Sequence, residues 1–189
     1  GPEGTIDRKL GMMKGTSPSM ATLANGSMAV AFQADTGSLW TIGQDGVRNW
    51  NQGMMAGTSP AIAAVGNNYQ VAMQANTGYL ITLGQFGNKD WRLGMMAGTS
   101  PTVTARSDGG WVAAVQANTG SLWAVGSDGA ADQHQGLMRG TSPSIAPQAN
   151  GGYQIAFQAN TGNLISIGSL GSKNYFFGLM AGTSPSIAR

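Results

Sequence analysis

A short phrase recurs five times along the chain and constrains its fold more than any other feature. "GMMKGTSPSMA" starts at Gly11, "GMMAGTSPAIA" at Gly53, "GMMAGTSPTVT" at Gly94, "GLMRGTSPSIA" at Gly136 and "GLMAGTSPSIA" at Gly178. The glycine of its Gly-Thr-Ser-Pro core falls at Gly15, Gly57, Gly98, Gly140 and Gly182, at intervals of 42, 41, 42 and 42 residues. A second phrase, Gln-Ala-Asn/Asp-Thr-Gly, starts at Gln33, Gln74, Gln116 and Gln158 and keeps the same period. An Asn or Asp stands four residues before each Gly-Met/Leu-Met, at Asp7, Asn49, Asp90, Asp132 and Asn174. Three landmarks holding one period define an internal repeat.

Each repeat reads as four short strands. In the last full copy "SPSIAPQ" is the first and Asn150-Gly151-Gly152 a turn. "YQIAFQA" is the second strand, closed by a tight Asn160-Thr161-Gly162 turn whose glycine supplies positive φ. "NLISIGS" is the third strand and "KNYFFGLM" a weaker fourth. No segment carries a helical period of useful length. In the second strand Tyr153, Ile155 and Phe157 point one way, and Gln154, Ala156 and Gln158 the other. The bulky set is Tyr69, Val71 and Met73 in one copy, Trp111, Ala113 and Val115 in another, and Met28, Val30 and Phe32 in the first. Third strands behave alike, with Trp40 and Ile42 opposing Leu39 and Thr41. A sheet with two uncharged faces is covered on both. The bulky face of one repeat is therefore expected on the small face of the next.

The expected fold is all-β: a β-propeller of four-stranded repeats, four complete blades plus a partial one. A β-solenoid or a β-prism is the alternative, and the Gly-centred hairpin turns argue against the solenoid. Residues 1–189 form a single repeat domain. A partial repeat, 5–23, matches only a fourth and a first strand. Units 24–65, 66–106, 107–148 and 149–189 follow, each running second, third, fourth, first. The unmatched fourth and first strands leave an incomplete sheet or uncovered faces. Self-association into a homo-oligomer, in its simplest form a dimer, is expected from that.

Composition narrows the function classes. Only 10% of the residues are charged, against about a quarter in an average domain, and 30 are glycine. The net charge is +2 and the basic residues are scattered, which excludes a phosphate-tracking nucleic-acid surface. The absence of cysteine removes disulfides, thiolate metal sites and Cys nucleophiles. No apolar run approaches the roughly 20 residues of a membrane helix. No leader is visible, and Gly1-Pro2 reads as the scar of a protease-removed tag.

Catalytic chemistry finds no foothold in the sequence. His134 is the only histidine and has no recurring carboxylate or hydroxyl constellation around it. The acids, Glu3, Asp7, Asp35, Asp45, Asp90, Asp108, Asp128 and Asp132, fall mostly in turns. No motif selects a glycosidase pair or a cation loop. The expectation is a non-enzyme with no cofactor and no metal. Thr-Ser-Pro reads as a turn device that starts a strand. The recurring methionines read as core filling, with a Met-lined groove as the alternative. The recurring glutamines need hydrogen bonds, from the next blade or from a ligand, and both remain open.

The Ser-Pro strand, the turn ending in Gly, the Leu-Trp and the Trp of the last strand resemble blades of tectonin-like and fucose-binding bacterial propeller lectins. The matching pieces are Ser59-Pro60, Thr36-Gly37, Leu39-Trp40 and Trp50, then Ser100-Pro101, Thr77-Gly78 and Trp91. The repeat is also similar to those of secreted actinobacterial proteins. Gln133 and Tyr175 depart from the pattern where Trp91 satisfies it. "QADTGSLWTIG" resembles, more loosely, the motif of the monocot mannose-binding bulb lectins. Asp35 matches there, but Gly37 supplies no Asn and no Tyr follows.

These resemblances imply carbohydrate binding between neighbouring blades, with glycans of fucose or mannose type as partners and a secreted or cell-surface location. Sugar sites pair an aromatic face with amides and hydroxyls. The candidate ligand-binding residues are Gln33, Asp35, Trp40, Trp50, Gln74, Asn76, Trp91, Gln116, Asn118, Trp123, Gln158, Asn160 and Tyr175. Tyr69, Trp111 and Tyr153 add to the aromatic supply. One weak site per repeat would give avidity on a dense glycan surface. The rival expectation is a ligand-free structural or engineered scaffold, in which the amides bond within the protein.

Overall fold

The computed structural model describes residues 7–188. It contains four antiparallel sheets of four strands, each built from consecutive strands in chain order. Blade 1 holds β1 (Ser19–Thr22), β2 (Met28–Gln33), β3 (Ser38–Gly43) and β4 (Gly46–Gly53). Blade 2 holds β5 (Ala61–Val65), β6 (Asn68–Gln74), β7 (Tyr79–Gly84) and β8 (Lys89–Gly94). Blade 3 holds β9 (Thr102–Ala105), β10 (Trp111–Gln116), β11 (Ser121–Gly126) and β12 (Gly129–Gly136). Blade 4 holds β13 (Ser144–Pro147), β14 (Tyr153–Gln158), β15 (Asn163–Gly168) and β16 (Lys173–Gly178). Each sheet therefore takes its first strand from the repeat unit before it.

The blades stack as the alternation of side chains predicts. Ala29, Ala31 and Leu39 of blade 1 share a core with Tyr69, Val71 and Met73 of blade 2. Ala72 and Leu80 of blade 2 meet Trp111, Ala113 and Val115 of blade 3. Val112, Ala114 and Leu122 of blade 3 meet Ile155, Phe157 and Ile167 of blade 4. Small side chains on one face leave room for bulky ones on the next, so close packing fixes the blade spacing.

The recurring phrase crosses from blade to blade. The Met54 and Met95 backbones bridge to Ala75 and Ala117 at the ends of the next blades' second strands. Thr58, Thr99 and Thr141 hydroxyls donate to the carbonyls of Met55, Met96 and Met138, closing the turn. The serines then join the first strands. The Ser17 N–H donates to Ser59 Oγ, Ser59 to Ser100, Ser100 to Ser142 and Ser142 to Ser184, each at 2.9 Å. Thr-Ser-Pro is thus both a turn device and the link between neighbouring inner strands.

Two sequence expectations change at the ends of the blade row. Residues 7–10 and 184–188 form no strand, although they read as a fourth and a first strand. Each lacks its sheet partners, and an isolated strand has no ladder to hold it. Thr5 and Ile6 of the partial repeat lie outside the described residues. Among the described residues no hydrogen bond and no hydrophobic cluster joins blade 4 to blade 1.

Candidate functional site

The fourth strand of every blade carries the same bulge. Pairing slips between Ser38 and Trp40, Tyr79 and Ile81, Ser121 and Trp123, and Asn163 and Ile165. Opposite each slip a non-glycine residue adopts positive φ: Asn51 at 53°, Arg92 at 50°, His134 at 55° and Phe176 at 56°. The periodic Asn or Asp stabilises it. Asn49, Asp90, Asp132 and Asn174 each accept, at 2.8 Å, the N–H of the positive-φ residue two places on. Asp7 does the same for Lys9, and that amide bond holds the Asp7 carboxyl below its ordinary pKa. Bulges re-aim side chains. The left-handed residue faces solvent, His134 included, and the residue before it turns to the junction with the next blade, or in blade 4 to its free face.

That preceding residue is Trp50, Trp91, Gln133 or Tyr175 in turn. The Trp50 indole N–H donates to Thr41 Oγ1, and Trp91 to Thr82 Oγ1, both at 2.9 Å. Tyr175 and Ser166 share a hydroxyl contact at 3.3 Å. Blade 3 has Ala124 in place of the hydroxyl, and Gln133 donates to the Ala131 carbonyl instead. Cations cover the rings. Arg48 lies 3.7 Å from the Trp50 centroid, Lys89 3.6 Å from that of Trp91 and Lys173 4.9 Å from that of Tyr175.

The next blade supplies the opposite wall through Tyr69, Trp111 or Tyr153. At the first junction the Tyr69 hydroxyl lies 3.3 Å from Thr41 Oγ1, which Trp50 also reaches, and a cleft of about 180 Å³ remains beside them, lined by Trp50, Ile81, Leu83 and Lys89. At the second junction Trp91 and Trp111 meet edge to face, with centroids 6.3 Å apart and planes at 77°. A cleft of about 380 Å³ opens there, lined by Phe86, Asn88, Lys89, Trp91, Trp111 and Ser127. That volume falls within the range of small-molecule sites. At the third junction a smaller cleft of about 170 Å³ is lined by Arg106, Asp128, Ala131, Gln133 and Tyr153. Arg106 pairs with Asp108 and Asp128, and the hydrogen bond to Asp128 raises its pKa further.

The other residues singled out from the sequence lie apart from these clefts. Gln33, Gln74, Gln116 and Gln158 are fully buried. Gln33 Nε2 donates to the Met54 carbonyl at 3.3 Å, and Gln74 to those of Met95 and Met96. Gln116 reaches Leu137 and Met138, and Gln158 reaches Leu179 and Met180. Gln116 Oε1 also accepts the Gly140 N–H at 3.1 Å, whereas Oε1 of Gln33, Gln74 and Gln158 has no partner. These amides tie each second strand to the segment that crosses out of its blade.

Asn76, Asn118 and Asn160 are exposed and pack against Gly53, Gly94 and Gly136 of the preceding blade. Asp35 packs against Gly11 in the same way. A Cβ on any of these glycines would meet the end of the Asn or Asp side chain, which would have to shift. Trp123 packs into the core between blades 2 and 3. Trp40 and Asp35 do come together, in a separate cleft of about 230 Å³ with Lys9, Phe32 and Thr36. The Trp40 indole N–H there has no partner. Of the candidate residues, Trp50 and Trp91 are thus placed on the bulge face of a junction, while Tyr175 holds the equivalent position on the free face of blade 4.

Sequence reasoning passed over Arg48, Lys89 and Lys173, and the hydroxyls Thr41, Thr82 and Ser166. A signal existed. Third-strand Thr, Thr, Ala and Ser change in step with fourth-strand Trp, Trp, Gln and Tyr, and a cation sits two residues before each ring. Among the described residues no group of three or more His, Cys, Asp or Glu could hold a metal ion. No described helix is long and apolar enough to cross a membrane.

No family model and no curated protein matches the chain. Solved structures do. The SapL1 lectin, in complex with α-methyl fucoside, superposes with a TM-score of 0.65 at 14% identity over 85% of this chain and 62% of that one. A lectin of Aleuria aurantia, bound to Fucα1-6GlcNAc, gives 0.62 at 12% over 95% and 68%. Virginiamycin B lyase of Staphylococcus aureus gives 0.57 at 12% over 90% and 59%. The chain spans less than two thirds of the SapL1 lectin's length. Four consecutive four-stranded sheets, stacked face to face and superposing on these structures, make the fold a β-propeller.

Proposed function

We propose that the chain is a non-enzymatic carbohydrate-binding propeller whose sites lie at the blade junctions. The observation that carries this reading is the cleft between blades 2 and 3. Trp91 and Trp111 meet there at a near right angle, with the Lys89 ammonium over one face of Trp91 and the Asn88 amide and Ser127 hydroxyl along the cleft. An apolar ring face suits the C–H side of a sugar, and the polar groups suit its hydroxyls. The likeness to lectins solved with fucosides supports the same reading at the level of fold, and fucose- or mannose-type glycans are the first ligands to try. Several weak sites would act together on a dense glycan surface, and we place the protein at the cell surface or outside the cell. Glycan-array binding followed by calorimetric titration with α-methyl fucoside and α-methyl mannoside tests it. Saturable binding that Trp91→Ala removes is the expected result. A folded protein that binds no saccharide sinks the reading.

One observation favours the rival, a ligand-free scaffold. At the first junction Arg48 covers the Trp50 ring, and Trp50 and Tyr69 both reach Thr41, so the aromatics there are engaged within the protein. If all junctions behave so in solution, the aromatics serve packing alone.

A further inference from the structure

The two ends of the blade row expose complementary faces. Blade 4 turns its small face away from blade 3; Ala156 there is buried and Leu164 half-buried, and beside them Phe177 is 68% and Met180 80% exposed. Blade 1 turns its bulky face outward. Met28 there is 51% exposed, and half-buried Val30 and Ile42 with buried Phe32 line a groove of about 260 Å³ whose other wall is the chain's own segment from Asp7 to Pro18. Small against bulky is the pairing found at each of the three internal junctions.

The glycine cradle sharpens this match. Gly11, Gly53, Gly94 and Gly136 each receive an Asp or Asn side chain from the following blade, while Gly178 has nothing within 4 Å. Residues 184–188 already sit where a following blade's first strand would. Ser142 N–H donates to Ser184 Oγ at 2.9 Å, and Ile187 N–H to Ser144 Oγ at 3.2 Å. Ser17 and Ser19 make the same two contacts with Ser59 and Ile62 between blades 1 and 2. Yet residues 184–188 pair with no second strand. Residues 178–188 repeat residues 11–21, differing only as Leu179 for Met12, Ala181 for Lys14 and Ile187 for Met20.

We propose that a second copy of this chain occupies both faces. Blade 4 of one copy docks on blade 1 of the next, and residues 178–188 of the first replace residues 11–21 of the second. Ser184–Ala188 then pairs with the Met28–Gln33 strand of the second copy, and Gly178 receives its Asp35. The exchanged segments are nearly identical, so their contacts cancel in the free-energy difference. What remains is the burial of the exposed Met28 and Phe177 and of the half-buried Val30, Ile42 and Leu164, which drives association.

Sedimentation equilibrium of the intact chain and of Gly178→Leu tests the inference independently of glycan binding. Gly178 has room for a side chain in the single copy but would carry it into Asp35 of the second. The expected result is a dimer or larger closed assembly for the native chain. Gly178→Leu should run as a monomer near 19.3 kDa with unchanged melting. Should that variant melt early, the cysteine-free chain offers a second readout. Asp35→Cys with Gly178→Cys should oxidise to disulfide-linked oligomers, while Gly11→Cys with Asp35→Cys should close within the unexchanged single copy and trap it as a monomer. A Cβ on Gly11 lies 3.3 Å from the Asp35 Cβ, close to disulfide spacing. A native chain that stays monomeric at its highest soluble concentration overturns the inference. So does an oligomer that survives Gly178→Leu and fails to cross-link.

Discussion

Trp91 donates its indole N–H to the Thr82 hydroxyl at 2.9 Å, across the third and fourth strands of blade 2. The bond keeps the ring upright at the junction, where its edge or face meets Trp111. Thr82→Val keeps the shape and removes the acceptor. It is expected to destabilise the protein by about 0.5–1.5 kcal/mol, the net worth of a typical hydrogen bond, since the half-buried indole loses its partner. Urea unfolding midpoints measure this. The inverse change, Ala124→Thr with Gln133→Trp, installs the missing pair in blade 3 and should raise the midpoint.

The two indoles at the bulge positions divide between packing and binding. Trp50 is 9% exposed and covered by Arg48, so Trp50→Ala should cost about 3–5 kcal/mol of stability, as large core truncations do. Trp91→Ala opens an already existing cleft and should cost less. Its main effect is expected on glycan affinity, a loss of about tenfold or more if the ring is a binding anchor. Parallel melting and calorimetry of the two variants separate these roles.

The buried glutamines differ in what they lose. Gln116 bonds two carbonyls and the Gly140 N–H, whereas Gln33 bonds only the Met54 carbonyl and leaves its own oxygen unpaired. Gln116→Leu is expected to cost about 1–3 kcal/mol, since it strands several buried backbone groups. Gln33→Leu should cost clearly less, as it also removes an unpaired buried oxygen. Equal costs in denaturant titration would refute this ordering.

The bulge predicts a backbone signature. Arg92 holds φ at 50°, with its N–H bonded to Asp90 at 2.8 Å. Arg92→Val places a β-branched residue in the left-handed region and should cost about 1–2 kcal/mol. Arg92→Gly should be close to neutral, relief of strain offsetting the added freedom of the unfolded chain. Asp90→Ala removes the acceptor and is expected to cost about 1 kcal/mol. Thermal melts of the three variants check the order.

Much of the architecture was legible before the structure. The period, the four strands, the Gly turns and the bulky-on-small stacking all follow from residue spacing and side-chain alternation. These are local properties, and a strand's two faces can be read from the order of its residues. The amide and aromatic candidates were less legible. A glutamine that bonds a crossing segment and one that bonds a sugar look the same in sequence, and only the placement of Met95, Leu137 and their neighbours tells them apart.

Sequence alone determined the repeat and its hydrophobic pattern, but a periodic pattern is unchanged by where its unit is cut. Tertiary structure decided the phase: hydrogen bonds from Ser19–Thr22 to Met28–Gln33 put the first strand in the sheet that follows it. It also decided which side chains meet across a junction. The bulge at Asn51, Arg92, His134 and Phe176 breaks the strand alternation at the point where Trp50 and Trp91 turn inward. That turn depends on a left-handed backbone set by an Asn or Asp hydrogen bond, which residue spacing marked but could not orient.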